Sequence, residues 1–564
     1  MPAADAAALL RHNAADPDRA DRPALHFGDE SWTHRSYVEE CARWAAWMAV
    51  SRPSGRPFHL GVLADNTPDY LFALGGAALS GSTIVGLNHT RVGQHLRRDI
   101  DHTDVDVILT EPSHLAALAG VDLGGRQVVV SHRWDDAAGT GDVDLDATLA
   151  TASGVDPGDE PGPEALWALI FTSGTSGAPK AVVCTQRRML VTGNRMSMLL
   201  GVGADDVGYV CMPLFHSNAL MVGWAPSLVV GASVGLARRF SASGWLPDVR
   251  RYGATWFNYT GKPLSYLVAT PEGVDDADNP VRVAFGNEGS PQVIETFARR
   301  FDVEVIDAFG STEGAIAVNR DVDLRGGAVG VAGETIAVVD ESGERCPVAR
   351  FDLTGRLLNA AEAVGEIVNT AGWGPFEGYY GNDEATAAAT RNGWYWSGDL
   401  GYLDADRYLY FAGRTGDWLR VDGENFPAQP VLDVLASHPD VVVGAVYGVP
   451  DVHAGDQVMA AVVLRDGAAF DGAGFAQWLD SCPDLGPKWR PRYLRVSASL
   501  PTTGTNKVLT RELRRQKYRL DLLAGDELWV RERGDPGYRR FTAADEATLH
   551  RELEAAGRGR FWDL

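Results

Sequence analysis

An uninterrupted apolar run, ALWALIF (165–171), passes directly into Thr172, Ser173, Gly174, Thr175, Ser176 and Gly177, and after Lys180 a second apolar run, AVVC (181–184), begins. Both runs are too short for helices and read as strands. The small residues between them let backbone N–H groups converge on one point, while hydroxyls add donors and the lysine adds charge. This is the chemistry of a phosphate cradle set at a strand end. It is not a Walker A loop, because Ala181 follows the lysine where Ser or Thr would be needed.

The surroundings suit such a cradle. Residues 24–110 alternate strand-like runs (ALHFG, LGVLA, TIVGL, VDVILT) with helical patterns such as SYVEECARWAAWMAV and TPDYLFALGGAAL, which predicts an α/β fold with a largely parallel sheet. A polar stretch over 135–163 reads as a surface connection, and a second α/β pass covers about 205–320. From 365 to 413 the texture changes to short strands with turn signals, as in a small barrel-like β subdomain. Beyond 417, the strands VVVGAVYGV and VMAAVVLRD are flanked by the helices PVLDVLASH and GAGFAQWLD, a separate α+β pattern. The tail predicts a helix capped by Thr542 with Asp545 three residues on, stopped at Gly557. The expected division is an N-terminal domain over 1–415 and a smaller C-terminal domain over 416–564.

Composition excludes several alternatives. With 564 residues, 45% hydrophobic and 22% charged, the chain is expected to be a soluble body of enzyme size, neither disordered nor a multi-span membrane protein. A net charge of -24 opposes generic attraction to nucleic acid or anionic lipid. Cys41, Cys184, Cys211, Cys346 and Cys482 form no CxxC pair, so neither a disulfide framework nor a zinc site is expected. The N-terminal residues read as neither signal nor transit peptide, so the expected compartment is the cytoplasm. The uncharged stretch 219–237 is broken by Pro226 and glycines and reads as a buried helix and strand.

Two patterns are decoys. Gly231-Ala-Ser-Val-Gly235 has hydrolase-elbow spacing, but Ser233 lies inside an apolar run. Asp404-Ala-Asp406 lacks the glycine and distal glutamate of a calcium loop and reads as a hairpin turn.

The loop TSGTSGAPK (172–180) resembles the signature of the adenylate-forming superfamily, which includes acyl-CoA synthetases, luciferases and nonribosomal adenylation domains, and other segments resemble that family's motifs in its order. They are MPLFHSNAL (212–220), DAFGSTEG (307–314), GWYWSGDLG (393–401), FAGRTGDWLRVDGEN (411–425) and LPTTGTNK (500–507). Residues 238–271 and 281–287, FEGYYG (376–381) and YFAGRTGD (410–417) are most similar to the fatty acid transport protein, or very-long-chain acyl-CoA synthetase, branch.

The resemblance implies an ATP-dependent acyl-CoA synthetase that acts on a hydrophobic carboxylic acid with ATP, Mg2+ and CoA. Long and very-long-chain fatty acids lead, with sterol side-chain or other alicyclic acids behind them. It further implies that Lys507 is catalytic, that Thr312 contacts the nucleotide and that Glu313 holds Mg2+. Residues 172–177 and Lys180 would hold the departing phosphates, Gly286, Asn287, Asp307 and Phe309 the adenine, and Asp399 and Arg414 the ribose. His216 and Gly223 would border the acyl chain, Gly423 with Arg238 and Arg239 would meet CoA, and Gly416 and Asp417 would form a hinge that makes the C-terminal domain mobile. Asp422, Pro430 and Asn506 depart from the branch's usual residues near the CoA-stage surface. A carrier-protein acyl-AMP ligase and a fatty acid uptake facilitator are the rival readings, and membrane contact would be peripheral.

Overall fold

The computed structural model describes residues 4–91, 93–135, 143–172, 180–260, 262–287, 289, 291–319, 328–352, 357–414, 418–421, 424–452, 456–482, 485, 488–503, 508–523, 525–532, 534–556 and 558–562. Two large sheets form the N-terminal part. The first has the strand order Val143–Asp144, Gln127–Val130, Val107–Thr110, His59–Leu63, Thr83–Gly86, Leu166–Phe171, Ala181–Thr185. All its pairs are parallel except the last, the hairpin that carries the cradle loop.

The second sheet runs Ala317–Asn319, Glu304–Gly310, Val283–Asn287, Trp256–Thr260, Val207–Val210, Ser233–Leu236, Pro23–Phe27, Glu30–Thr33. It is parallel through the middle and antiparallel at both ends. Its central parallel strands, Val207–Val210, Ser233–Leu236, Trp256–Thr260 and Val283–Asn287, are buried at all but one residue each, as parallel strands covered on both faces must be, while the strands towards the two edges are more exposed. The apolar run 219–237 divides into a π-helical turn (Asn218–Trp224), a short helix (Ala225–Val230) and the strand Ser233–Leu236. No described helix is long and apolar enough to cross a membrane.

Helices fill the layers between. Pro68–Ser80 is buried on all sides, which its continuous small and apolar sequence allows. Gly76 lets it lie directly against the helix His34–Val50, since a Cβ there would stand 2.5 Å from the Trp44 Cβ. The second helix opens on a capping box between Thr33 and Ser36.

The barrel-like texture resolves into a five-stranded antiparallel sheet ordered Ala328–Val331, Tyr408–Arg414, Tyr395–Leu403, Gly365–Asn369, Ile336–Val339. The C-terminal part holds a second five-stranded sheet, from Val441–Pro450 and Asp456–Leu464 through Tyr493–Val496 to Glu527–Val530 and Arg539–Arg540. Alternation along its strands feeds two cores: Val443, Ala445, Tyr447 and Val449 pack with Tyr518 and Leu553, while Val446, Val458, Ala460 and Val462 pack with Leu435 and Phe475. The last long helix, Ala543–Ala555, has the expected Thr542–Asp545 capping box, and Gly557 lies outside the described residues.

Both decoys are structural. Ser233 opens its strand and donates from Oγ to the Pro23 carbonyl at 2.6 Å. Asp404 Oδ1 accepts from the backbone of Asp406 at 3.0 Å and of Tyr408 at 2.9 Å, closing a turn.

Candidate functional site

The cradle loop springs from a closed neck. Phe171 pairs with Ala181 across the hairpin, and the Thr172 N–H donates to the Lys180 carbonyl at 3.0 Å. Ser173, Gly174, Thr175, Ser176 and Gly177 lie outside the described residues. The free edge of Ala181–Thr185 is covered by the 376–381 segment: Val183 N–H donates to the Gly378 carbonyl (3.0 Å) and Tyr380 N–H to that of Ala181 (2.8 Å). Glu377 secures the same edge by accepting from the Thr185 N–H and hydroxyl.

This pairing delivers Tyr379 to the centre of the site. Its hydroxyl donates to Glu313 Oε1 at 2.7 Å, and the Lys180 ammonium lies 5.4 Å from its ring centroid. Burial, reinforced by the Glu313 charge, raises the Tyr379 phenol well above its ordinary value, so it stays protonated and serves as a donor. Glu313 is 7% exposed and forms no ion pair among the described residues. A buried carboxylate whose partner among the described residues is a neutral hydroxyl is a fitting oxygen ligand for a divalent cation.

The turn carrying Thr312 and Glu313 is held from behind by Arg188, 3% exposed, in the first turn of the helix Gln186–Leu200. Its guanidinium donates to the carbonyls of Val183 (2.6 Å), Thr312 (2.6 Å) and Glu313 (3.0 Å). The Thr312 hydroxyl meets that of Ser217 at 2.8 Å. Arg188, Ser217 and Tyr379 carry no role in the sequence reading. For Tyr379 a signal existed, because FEGYYG stood among the resembling segments.

The proposed adenine residues lie together at the carboxyl ends of adjacent parallel strands. Gly286 and Asp307 are register partners. Gly286 is required by Tyr259, whose ring would come within 2.5 Å of any Cβ there. The Tyr259 hydroxyl donates to Asp307 Oδ2 at 2.8 Å, which also accepts from the Gly289 N–H at 3.0 Å. Asn287 donates to the Ala308 carbonyl, and Phe309 packs 5.5 Å from Phe411. On the third sheet Asp399 and Arg414 are register partners across an antiparallel pair, with Asp399 6% exposed.

The acyl and CoA assignments fare differently. His216 follows the strand Val207–Val210, its ring 4.9 Å from that of Phe215. Burial, and next the neighbouring His89, lower its pKa to about 4, so the ring is neutral near pH 7. Gly223 does not line open space: the position of its Cβ is filled by Asn258 Oδ1 at 2.7 Å, making it a contact between the π-helical turn and the sheet.

Arg238 is engaged by carboxylates instead of standing ready for a phosphate. It pairs with Glu111 (2.7 Å) and Asp65 (3.2 Å) and donates to the Trp134 carbonyl (2.5 Å), while Arg239 reaches Asp65 at 3.3 Å. His114 stands 3.2 Å from the same aspartate. Burial would raise Asp65, but His114, Arg239 and Arg238 outweigh it and hold the carboxyl below its usual value. Asp65, Glu111 and His114 have metal-ligand composition, yet the two guanidiniums already neutralise these carboxylates, so the cluster is an ion-pair network. Lys507, Gly416, Asp417 and Gly423, with Asp422 and Asn506, lie outside the described residues.

Two family models match the chain. Residues 10–380 match the AMP-binding enzyme family and residues 433–507 the AMP-binding enzyme C-terminal domain. The chain is 48% identical over 550 residues to the steroid-22-oyl-CoA synthetase of Rhodococcus jostii RHA1, covering 96% of each protein. It is 46% identical over 494 residues to the medium/long-chain-fatty-acid–CoA ligase FadD17 of Mycobacterium tuberculosis, covering 87% of this chain and 93% of that one. Among solved structures, ATP-bound MatB from Rhodopseudomonas palustris superposes with a TM-score of 0.74 at 22% identity, over 92% of this chain and 99% of that one.

Proposed function

The chain belongs to the AMP-binding enzyme family, and from that premise we propose that it is an acid–thiol ligase joining a bulky hydrophobic carboxylic acid to CoA, with ATP converted to AMP and pyrophosphate. The observation that carries this reading is the convergence of Lys180, Tyr379 and Glu313 at the neck of the cradle loop. Activation requires an anionic carboxylate to approach the α-phosphate of ATP, so the site must neutralise charge and hold both reactants in line.

In this reading the loop from Thr172 to Lys180 retains the β- and γ-phosphates, and Glu313, fixed by Tyr379, holds Mg2+ with Thr312 beside it. Mg2+ supplies neutralisation of phosphate charge. Gly286, Asn287, Asp307 and Phe309 receive the adenine, and Asp399 with Arg414 the ribose. Lys507 bridges the carboxylate and α-phosphate oxygens, on a C-terminal domain that turns about Gly416 and Asp417 for thioester formation, in which Gly423 admits the thiol arm. The chain divides between these domains near residue 415. All five cysteines are free, which suits a reducing cytoplasm, and membrane contact is at most peripheral.

The acid is proposed to be a steroid side-chain carboxylate, because likeness to the steroid-22-oyl-CoA synthetase extends over 96% of both chains. A medium- or long-chain fatty acid is the second reading, favoured by the FadD17 relatives at 45–46% identity. A panel of both acid classes, scored by pyrophosphate release with and without CoA, tests the proposal. Steroid acids should give the higher kcat/KM, with AMP and acyl-CoA formed in the absence of any carrier protein. ADP formation would refute the chemistry, and a preference for fatty acids would transfer the substrate to the second reading.

A further inference from the structure

The turn that carries His216 is seated on the first sheet, although it grows from the second. Asn66, 3% exposed, follows the strand His59–Leu63 and uses its whole amide on this junction: Nδ2 donates to the carbonyls of Met212 (2.9 Å) and Ala237 (3.1 Å), and Oδ1 accepts from the Leu214 N–H (2.8 Å). Its own N–H donates to the Arg238 carbonyl at 3.2 Å. One side chain therefore fixes the ends of two neighbouring strands of the other sheet.

A second observation points to the same place. Gly86, at the end of Thr83–Gly86, lies so close to the turn that a Cβ would come 2.9 Å from the Phe215 Cα and 3.1 Å from its carbonyl oxygen. Three residues on, the His89 ring meets the Phe215 ring edge-on at 5.3 Å. Within the turn, His216 N–H donates to the Pro213 carbonyl and its own carbonyl accepts from Leu220, so displacement of residues 212–215 would carry His216 with it.

We propose that Asn66 is a positioning residue for the acid half of the reaction: it locks residues 212–216 onto the first sheet, with Gly86 leaving the space, and so fixes His216 beside the acid. This rests on the reading that His216 borders the acyl group. A buried amide making three bonds to backbone has no replacement among the apolar residues, and its loss leaves two carbonyls and an N–H unpaired.

Three variants decide the matter, each assayed for KM and kcat with the acid and with ATP varied separately. Asn66→Ala should raise the KM for the acid and lower its kcat/KM about 10- to 100-fold, while the KM for ATP stays within about threefold. Gly86→Ala, pressing on Phe215, should show the same split, and it carries the test alone if Asn66→Ala does not fold. His216→Ala separates the two layers of inference. If it leaves every acid parameter unchanged, the assignment of His216 fails, and the proposal with it. If it alters them while Asn66→Ala and Gly86→Ala leave them at the wild-type value, or lower acid and ATP parameters in equal proportion, the positioning role is overturned and the reading of His216 stands.

Discussion

The Tyr379 hydroxyl donates to Glu313 Oε1 across 2.7 Å, joining residues 66 positions apart, beside the ammonium of Lys180. A hydrogen bond to an ionised carboxylate is worth about 1.5–3 kcal/mol, and each 1.4 kcal/mol is tenfold in rate. Tyr379→Phe should therefore lower kcat/KM for ATP about tenfold and raise the Mg2+ concentration needed for half-maximal pyrophosphate release. Glu313→Gln, which removes the charge itself, should cost one to two orders of magnitude or more. A Mg2+ titration identical to wild type in both variants would remove the pair from the metal site.

Arg188 supports the same turn from beneath, and its loss would leave three carbonyls without their donor in a buried setting. Arg188→Met should reduce stability by about 3 kcal/mol or more, read as a lower urea midpoint at unchanged slope. Arg188→Lys should recover only part of it, since one ammonium cannot span carbonyls that a planar guanidinium bridges from two sides. A variant with the wild-type midpoint would contradict this account.

His216 sets a sign for pH dependence. Its folded pKa of about 4 lies below the ordinary 6.5, so between those values the unfolded chain binds the proton more readily, and folding stability contributed by the neutral ring is lost as pH falls through that window. Relative to His216→Gln, wild type should lose about 1–3 kcal/mol between pH 6.5 and 4, measured by denaturant unfolding at each pH. The acid limb of kcat/KM above pH 5.5 should be the same in both proteins.

The two proposed half-reactions predict a division of labour. Lys507→Ala should nearly abolish formation of the acyl adenylate yet leave much of the conversion of supplied acyl adenylate and CoA to thioester. Gly416→Pro fixes φ near -65° and should restrict domain rotation without removing a charge, so it should slow one half-reaction far more than the other. Single-turnover measurement of each half separately tests both; equal losses in both halves for both variants would end the alternating-domain reading.

The sequence by itself determined the strand ends, the helix caps and the order of the motifs, because these depend on neighbours a few residues apart. The strands on either side of the small-residue loop, Leu166–Phe171 and Ala181–Thr185, the capping box of Thr542 and Asp545, and the alternation from Val443 to Val449 were all legible in this way. Tertiary structure decided which charges and amides meet. Arg188 finds carbonyls 124 and 125 residues away, and Asn66 spans to residues 146, 148 and 171 positions on. Arg238 has the composition of a phosphate clamp in sequence, but the ends of three strands bring Asp65 and Glu111 to it first. The physical reason is range: backbone propensity acts over a turn or two, whereas a buried hydrogen bond or ion pair forms only where packing of whole sheets brings its two halves within about 3 Å and excludes the water that would otherwise satisfy them.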